Sequence, residues 1–364
     1  MLLSPRRLLV LLLLPALGAC STLTEIDSWV PNSSRLEQYS STSGLPLYGP
    51  SRPQKRVFNF DLYPKGFDEA RVFRFAPCAD AAGQIFAQLP ELAAEQEAAD
   101  AVMPGVLPLP GQPYYVDEVE VSNREWQNFL NYVRSDSTLR AYQRLVPAAE
   151  AQPTPDYFTS PFYRHYPVVG ITYEQAQSFC RWRSRIVSEE VQWSRATRQA
   201  RPSRITYRLP TEAEWEFAAG GFTGQPYGTS CTTRRVLVDP AAAAYLQLRS
   251  KSTTPAAQIA EDIKAFNAAK TSITWFNCRR ELPYFLQAPT PDYVYSTPPN
   301  GFGVYQLIGN VAELVQEPGI TKGGSYRDPL EACAISARGT YAGPAPTIGF
   351  RCVGEVSFAS QNQK

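Results

Sequence analysis

Between Tyr114 and Gly221 the chain repeats one device three times: a short apolar strand, an S/T-x-x-E/Q box, and a helix with a single apolar face. In "YYVDEVEVSNREWQNFLNYV" Ser122 and Glu125 make the box, and Trp126, Phe129, Leu130 and Val133 follow at helical spacing. In "YPVVGITYEQAQSFCRW" Thr172 and Gln175 make it, with Ala176, Phe179 and Cys180 facing inward. In "YRLPTEAEWEFAAGG" Thr211 and Glu214 make it, Trp215 is the core anchor, and Gly220-Gly221 ends the helix. Such boxes satisfy N–H groups that the first helical turn leaves without partners, so each marks a definite helix start directly after a strand. With 32 Pro and 12% aromatic residues in 364, the remainder reads as loops packed by large rings. That length allows two average domains or one large one.

Composition removes several functions. Lys and Arg number 35 against 34 Asp and Glu, so no concentrated basic face points to a nucleic-acid partner. A single histidine, His165, cannot build a three-histidine zinc site, a two-histidine iron triad or an H-E-x-x-H protease site. His165 lies in "FYRHYPVVG", and no G-x-S-x-G elbow occurs anywhere, so it reads as a packing or surface residue.

The N-terminus carries Arg6 and Arg7, then an apolar run from Leu8 to Leu14, then small residues. That run is too short to span a bilayer and has the layout of a cleaved export signal. Leu17-Gly18-Ala19-Cys20 matches the bacterial lipobox, which makes Cys20 the expected first mature residue and site of lipidation. The expected organisation is a signal peptide over 1–19, a lipidated tether rich in Ser and Pro over 20–55, an extension without an assignable role over 56–112, a large domain over 113–356, and a tail over 357–364. Within the extension, "RVFNFDLYP" and "ARVFRFAP" alternate as strands do, and "LPELAAEQEAADAV" reads as a short helix.

"YPVVGITYEQAQSFCRW", "YRLPTEAEWEFAAGG", "NGFGVYQLIGNVAEL" and the "KGGSY", "ARG" and "GFRC" segments stand in the order and style of one family. On them the domain resembles the formylglycine-generating enzyme, or sulfatase-modifying factor, family. The resemblance implies an α+β, C-type-lectin-like fold, loop-rich, with small twisted sheets and few helices. Within that family the lipobox, "EVSNREWQNFLNYVR", "YPVVGITY" and a long insertion before "YRLPTEAEW" resemble the lipoproteins of gliding motility and type IX secretion in Bacteroidetes. In that insertion, residues 183–206, Ile186, Trp193, Ala196 and Ala200 continue a helix, and Arg195, Arg198, Arg201 and Arg204 run along it as a solvated face or a docking ridge. A second insertion spans 232–274, where Pro255 starts a helix with Ile259, Ile263 and Phe266 as its apolar stripe.

Six cysteines remain after Cys20, in a compartment where disulfides form. The resemblance implies a bridge between Cys180 and Cys352, while a second family bridge would need thiols at Ala219 and Ile335, both absent. Cys231 and Cys278 flank the second insertion and are a candidate pair, leaving Cys78 and Cys333 to pair or to stay buried as small hydrophobes. The family enzymes hold copper(I) between two thiolates just after G-G-S-Y. Aligning Arg338 with the family arginine places Tyr326 or Arg327 at the first ligand position and Leu330 at the second, with Cys333 three residues beyond. None of Tyr326, Arg327 or Leu330 offers a soft thiolate. The resemblance also implies a calcium set, which falls on Gln306, Gly309, Val311 and Glu313, and there Gln306 brings no charge.

The expected function is therefore a membrane-anchored, non-catalytic structural or assembly lipoprotein of the cell envelope, most naturally at the outer membrane. It would carry no catalytic residues, and its only cofactor would be a structural calcium, if any. Its expected partners are other envelope proteins, in a ring or other homo-oligomer, and the membrane through the lipid anchor. The alternative is a formylglycine-generating or related nonheme-metal oxidase using Cys333. A carbohydrate-binding role, suggested by lectin-like folds, competes with the simpler reading of the aromatic residues as core.

Overall fold

The computed structural model describes residues 73–75 and, with short gaps, 103–358. In chain order it contains β1 (Phe73–Phe75), β2 (Val106–Pro108), β3 (Tyr115–Asp117), α1 (Asn123–Asp136), α2 (Leu139–Gln143), α3 (Tyr173–Trp193), β4 (Pro202–Arg208) and α4 (Glu212–Gly220). There follow β5 (Thr233–Val238), α5 (Ala243–Ser250), α6 (Ala256–Ala268), β6 (Ser272–Thr274), β7 (Ala312–Leu314), β8 (Ile320–Lys322), β9 (Gly339–Thr340), β10 (Ile348–Gly349) and β11 (Val353–Phe358). Six α-helices and three small sheets among the described residues make an α+β, loop-rich architecture.

All three capping boxes lie at helix starts. Thr172 and Gln175 exchange both bonds, 2.8 and 3.1 Å, and so do Thr211 and Glu214, 2.8 and 3.2 Å. At the first box the Glu125 amide donates to Ser122 Oγ at 3.3 Å. The boxes aim α1 and α3 so that Trp126, Phe129, Phe179 and Trp182 meet Phe350 in one aromatic core. Trp126 stacks on Phe179 with centroids 5.6 Å apart and takes Phe350 edge-on at 5.9 Å. Such pairs add about 0.5–1.5 kcal/mol each beyond the area they bury.

The sheet β2-β3-β11-β4 backs this core, all antiparallel, with β11 reaching from the C-terminus to pair with β3 and β4. A second sheet, β10-β7-β8-β9, carries the C-terminal motifs and has one parallel pairing, β10 on β7. The third, β1-β5-β6, belongs to the second insertion, whose core of Val236, Val238, Leu246, Ile259, Ile263, Phe266 and Ile273 is separate. The expected stripe of Ile259, Ile263 and Phe266 is the buried face of α6, which Pro255 precedes. One strand from the "ARVFRFAP" segment adds an edge to this sheet through Phe73↔Val238 and Phe75↔Val236.

The first insertion differs from its expected form. Helix α3 runs through Ile186 to Trp193, but Arg204 lies on β4, not on a helical ridge. The reason is visible in the alternation: Ile205 and Tyr207 are buried while Arg204 is exposed, a strand period set by pairing with β11. Arg183, counted at the start of that insertion, is fully buried and belongs to the core. Cys20, Cys78, Cys231, Arg195, Arg198, Arg201, Ala196, Ala200, the export signal, the tether and "LPELAAEQEAADAV" lie outside the described residues.

Candidate functional site

The C-terminal motifs converge where β7 and β8 meet α4 and the approach to β11. Glu313 on β7 is wholly buried, and its carboxylate accepts from Arg351 Nε at 2.8 and 3.0 Å, from Arg351 NH2 at 2.7 Å, and from Trp215 Nε1 at 2.8 Å. The remaining Arg351 donors reach the carbonyls of Tyr305 at 2.7 Å and Asp117 at 3.0 Å. Burial alone would drive the charge off the guanidinium; Glu313 beside it reverses this and holds Arg351 above its ordinary value. A buried pair with its hydrogen bonds complete is the form in which ionised groups persist in a core.

A second buried pair stands next to it. Arg183 NH1 donates to both oxygens of Asp117, at 2.6 and 2.9 Å, and the Cys352 amide donates to Asp117 Oδ2 at 2.8 Å. Asp117 thereby connects α3, β3 and the "GFRC" segment. The thiols of Cys180 and Cys352 lie 3.1 Å apart in the same place, both buried.

Glu120 lacks the direct arginine partner that Glu313 and Asp117 have. It is buried, its Oε1 accepts from Asn310 Nδ2 at 2.8 Å, and its Oε2 has no hydrogen-bond partner. Burial, with Arg351 opposing it and the Glu313 charge adding to it, pushes this carboxyl well above 4.5 and favours its protonated form. Asn310 sits at φ 62° and also accepts from Asn277 Nδ2 at 3.0 Å and from the Asp292 amide at 2.7 Å. Sequence reasoning passed over Glu120, Asn277 and Asn310; Asn is one of the few residues that tolerates that backbone conformation, which is the signal "LIGNVAEL" carries.

Of the expected calcium set, Gln306 turns its amide to the Tyr293 carbonyl at 3.0 Å and Ser296 Oγ at 2.6 Å, leaving Oε1 buried without a partner. Gly309 has φ 78°, and a Cβ there would stand 2.4 Å from the Asn277 carbonyl. Val311 is fully buried. Glu313, the one charged member, is already neutralised by Arg351, so the set does not fit a hard divalent cation that needs several anionic oxygens.

The "GGSY" loop leaves β8 at Lys322. Gly324, at φ 63°, would place a Cβ 2.5 Å from Cys333 Sγ, so only glycine leaves the thiol its space. Asp328 Oδ2 accepts from the Ser325 amide at 2.9 Å and from Ser325 Oγ at 2.5 Å, closing a turn that leads into a 3-10 segment, Leu330–Cys333. At the expected ligand positions, Tyr326 is buried with its hydroxyl unpartnered, Arg327 is exposed with its guanidinium 5.1 Å from the Tyr326 ring centre, and Leu330 packs beside Cys333. Cys333 has 0% exposure and touches Cys278, itself 3% exposed. Contact with Cys278 and burial together push the Cys333 thiol far up, away from thiolate. The sequence named Cys278 but not its contact with Cys333, 55 positions further along.

A copper oxidase of the implied kind must present thiolates to a substrate thiol, and this pair is sealed from solvent, with Cys333 pushed away from thiolate, so it does not fit. Among the described residues no group of three or more His, Cys, Asp or Glu converges to hold a metal. His165 meets Tyr293 edge-on at 6.0 Å and is lowered to about 3 by burial and by Arg124 and Arg164, so it is neutral. No described helix is long and apolar enough to cross a membrane.

At the rim, Lys322 reaches Glu216 at 2.7 Å and Glu212 at 3.2 Å, while Arg338 grips Glu212 with two bonds of 2.6 Å. Arg338, Lys322 and Glu212 thus tie the loop's far end to α4. An open groove of about 540 Å³ lies apart from these motifs, lined by Phe129, Val133, Leu145, Ser178, Arg181, Trp182 and Arg185.

The serine/threonine-protein kinase Pkn1 of Chlamydia trachomatis is 26% identical over 255 residues, covering 68% of this chain and 34% of its own length. The chain thus spans about a third of that relative. Among solved structures, Treponema denticola variable protein 1 matches with a TM-score of 0.36 and 18% identity, covering 66% of this chain and 84% of its own. PvdO from Pseudomonas aeruginosa matches with a TM-score of 0.40 and 16% identity, covering 67% and 81%. The family model FGE-sulfatase, described as the sulfatase-modifying factor enzyme 1-like domain, matches residues 96–356, and the chain belongs to that family.

Proposed function

We propose that this chain is a non-catalytic structural or assembly lipoprotein of the cell envelope, of the kind that serves gliding motility and type IX secretion in Bacteroidetes. The observation that carries the non-catalytic part is the sealed loop: the expected ligand positions hold Tyr326, Arg327 and Leu330, and Cys333 is buried against Cys278. What the fold retains is its framework, the buried pairs Glu313–Arg351 and Asp117–Arg183. Support for the anchor comes from the lipobox ending at Cys20 and the Ser- and Pro-rich stretch after it. Its partners are other envelope proteins, in a ring or another homo-oligomer, with the lipid holding it at the outer membrane.

Oxygen uptake separates this reading from an oxidase. Purified protein given copper(I) and a thiol peptide should consume oxygen no faster than Cys333→Ala; uptake that Cys333→Ala abolishes would overturn the scaffold reading. Metabolic labelling with a fatty acid should mark the wild type and not Cys20→Ala, and an unlabelled wild type would remove the anchor. Crosslinking in envelope fractions should capture protein neighbours that survive purification. We further propose that folding needs no calcium, since Arg351 supplies the charge Glu313 requires. A chelator should leave the melting temperature unchanged, and a drop reversed by added calcium would refute this.

A further inference from the structure

The four described cysteines fall into two contacting pairs, and the second pair has no place in the family pattern drawn above. We propose that Cys278 and Cys333 form a disulfide that fastens the exit of the second insertion to the "GGSY" loop. The segment carrying Cys278 is pinned on both sides. Asn277 is held to the "GNV" turn, with the Asn310 amide donating to its carbonyl at 2.7 Å, and the Arg279 amide donates to the Asp328 carbonyl at 2.8 Å. Between these pins Cys278 enters a small cluster with Phe276, Ile308 and Cys333. Cys333 is held equally firmly by the 3-10 turn, with Sγ 3.5 Å from the Pro329 carbonyl and Gly324 giving it room.

Both thiols are unbridged in the structure, but two thiols in contact and fixed by separate backbone anchors are placed to be joined; two interchangeable hydrophobes would need neither anchor. The reaction is exchange with a disulfide-bearing thiol oxidant. One cysteine attacks the oxidant's disulfide and releases one of its sulfurs as a thiol; the other cysteine then displaces the second sulfur. Both protons leave with the oxidant's sulfurs, which are reduced as the two cysteines are oxidised. Because the closed cluster shuts out an oxidant, exchange takes place while the loop is still open during folding, and the finished bridge resists reduction. In the cell the step relies on the exported location proposed above, so the test is built to separate the two.

Full-length protein is refolded from denaturant in oxidised and reduced glutathione, alkylated after unfolding, and digested without reduction. The peptides of Cys278 and Cys333 should appear joined, and Cys333→Ser should leave Cys278 open to alkylation. Reduction under denaturing conditions followed by refolding with reductant should lower the wild-type melting temperature by roughly 5–10 °C, and the Cys278→Ser/Cys333→Ser double variant should show no such loss from this bridge. Free alkylation of both cysteines in the refolded wild type, or Cys278 joined to Cys231, overturns the proposal. The same map on protein taken from cells reads the location: a bridge that forms in the refolded protein but is absent in cells counts against the exported reading alone.

Discussion

The junction around Glu313 and the loop around Cys333 lie close together in sequence and share one sheet, yet they treat reactive groups in opposite ways. At the junction, a carboxyl and a guanidinium are buried and paired: Glu313 and Arg351 are 1% and 0% exposed in their side chains and share three hydrogen bonds of 2.7–3.0 Å. Along the loop, charges sit at the rim, where Arg338 is 64% exposed, and the group able to do chemistry is sealed under Gly324. The difference teaches what the family motifs preserve here. "GNVAEL" and "GFRC" encode a charge lock that holds β7 to the approach to β11, whereas "GGSY" encodes a turn whose chemical payload has been covered.

The largest effect that can break this contrast is at the lock. Arg351→Met leaves Glu313 buried without its countercharge and should lower the unfolding free energy by about 3–5 kcal/mol. Urea denaturation measures it, and a loss below about 1 kcal/mol would place the junction with the rim. Lys322 comes next, since it is fully buried while its partners Glu212 and Glu216 reach water, so Lys322→Met should cost about 1–3 kcal/mol in the same assay.

Much of the frame was legible because its signals are local. Ser122, Thr172 and Thr211 mark helix starts within four residues, and the stripe Ile259, Ile263 and Phe266 needs only one helix to be read. Long-range satisfaction of charge was not legible. Arg183 reads only as the first residue of an insertion until Asp117, 66 positions away, appears beside it. Glu313 reads as a cation ligand until Arg351 and Trp215 take its oxygens, and Cys333 has no visible neighbour in the sequence until the fold brings Cys278 against it. In each case residue type was visible and the partner was not, because pairing depends on how loops of tens of residues close.

Glu120 sharpens the comparison through pH. Its folded value lies well above 4.5, so the folded state holds a proton that the unfolded chain has released. Its contribution to stability is therefore fully present below about 4.5 and is lost as pH rises through the folded value. Glu120→Gln keeps an oxygen for Asn310 Nδ2 and removes the titration, so it should gain on the wild type progressively as pH rises. Denaturant midpoints taken across pH test this, and parallel profiles for the two proteins would mean Glu120 takes up no proton on folding.

The rim gives the smallest and opposite dependence. Arg338, and then Lys322, hold the Glu212 carboxyl down to about 2, so what this group contributes is present above the ordinary value of 4.5 and lost as pH falls toward 2. The Arg338 arm is solvent-facing, where ion pairs add little at neutral pH. Arg338→Ala should leave the neutral-pH urea midpoint unchanged within error while moving the Glu212 titration, followed by carboxyl NMR shifts, upward. Lys322 keeps part of the depression, so the variant's carboxyl should still titrate below an unpaired glutamate. A neutral-pH loss comparable to that of Lys322→Met would instead make the rim a structural lock in its own right and erase the contrast between the two regions.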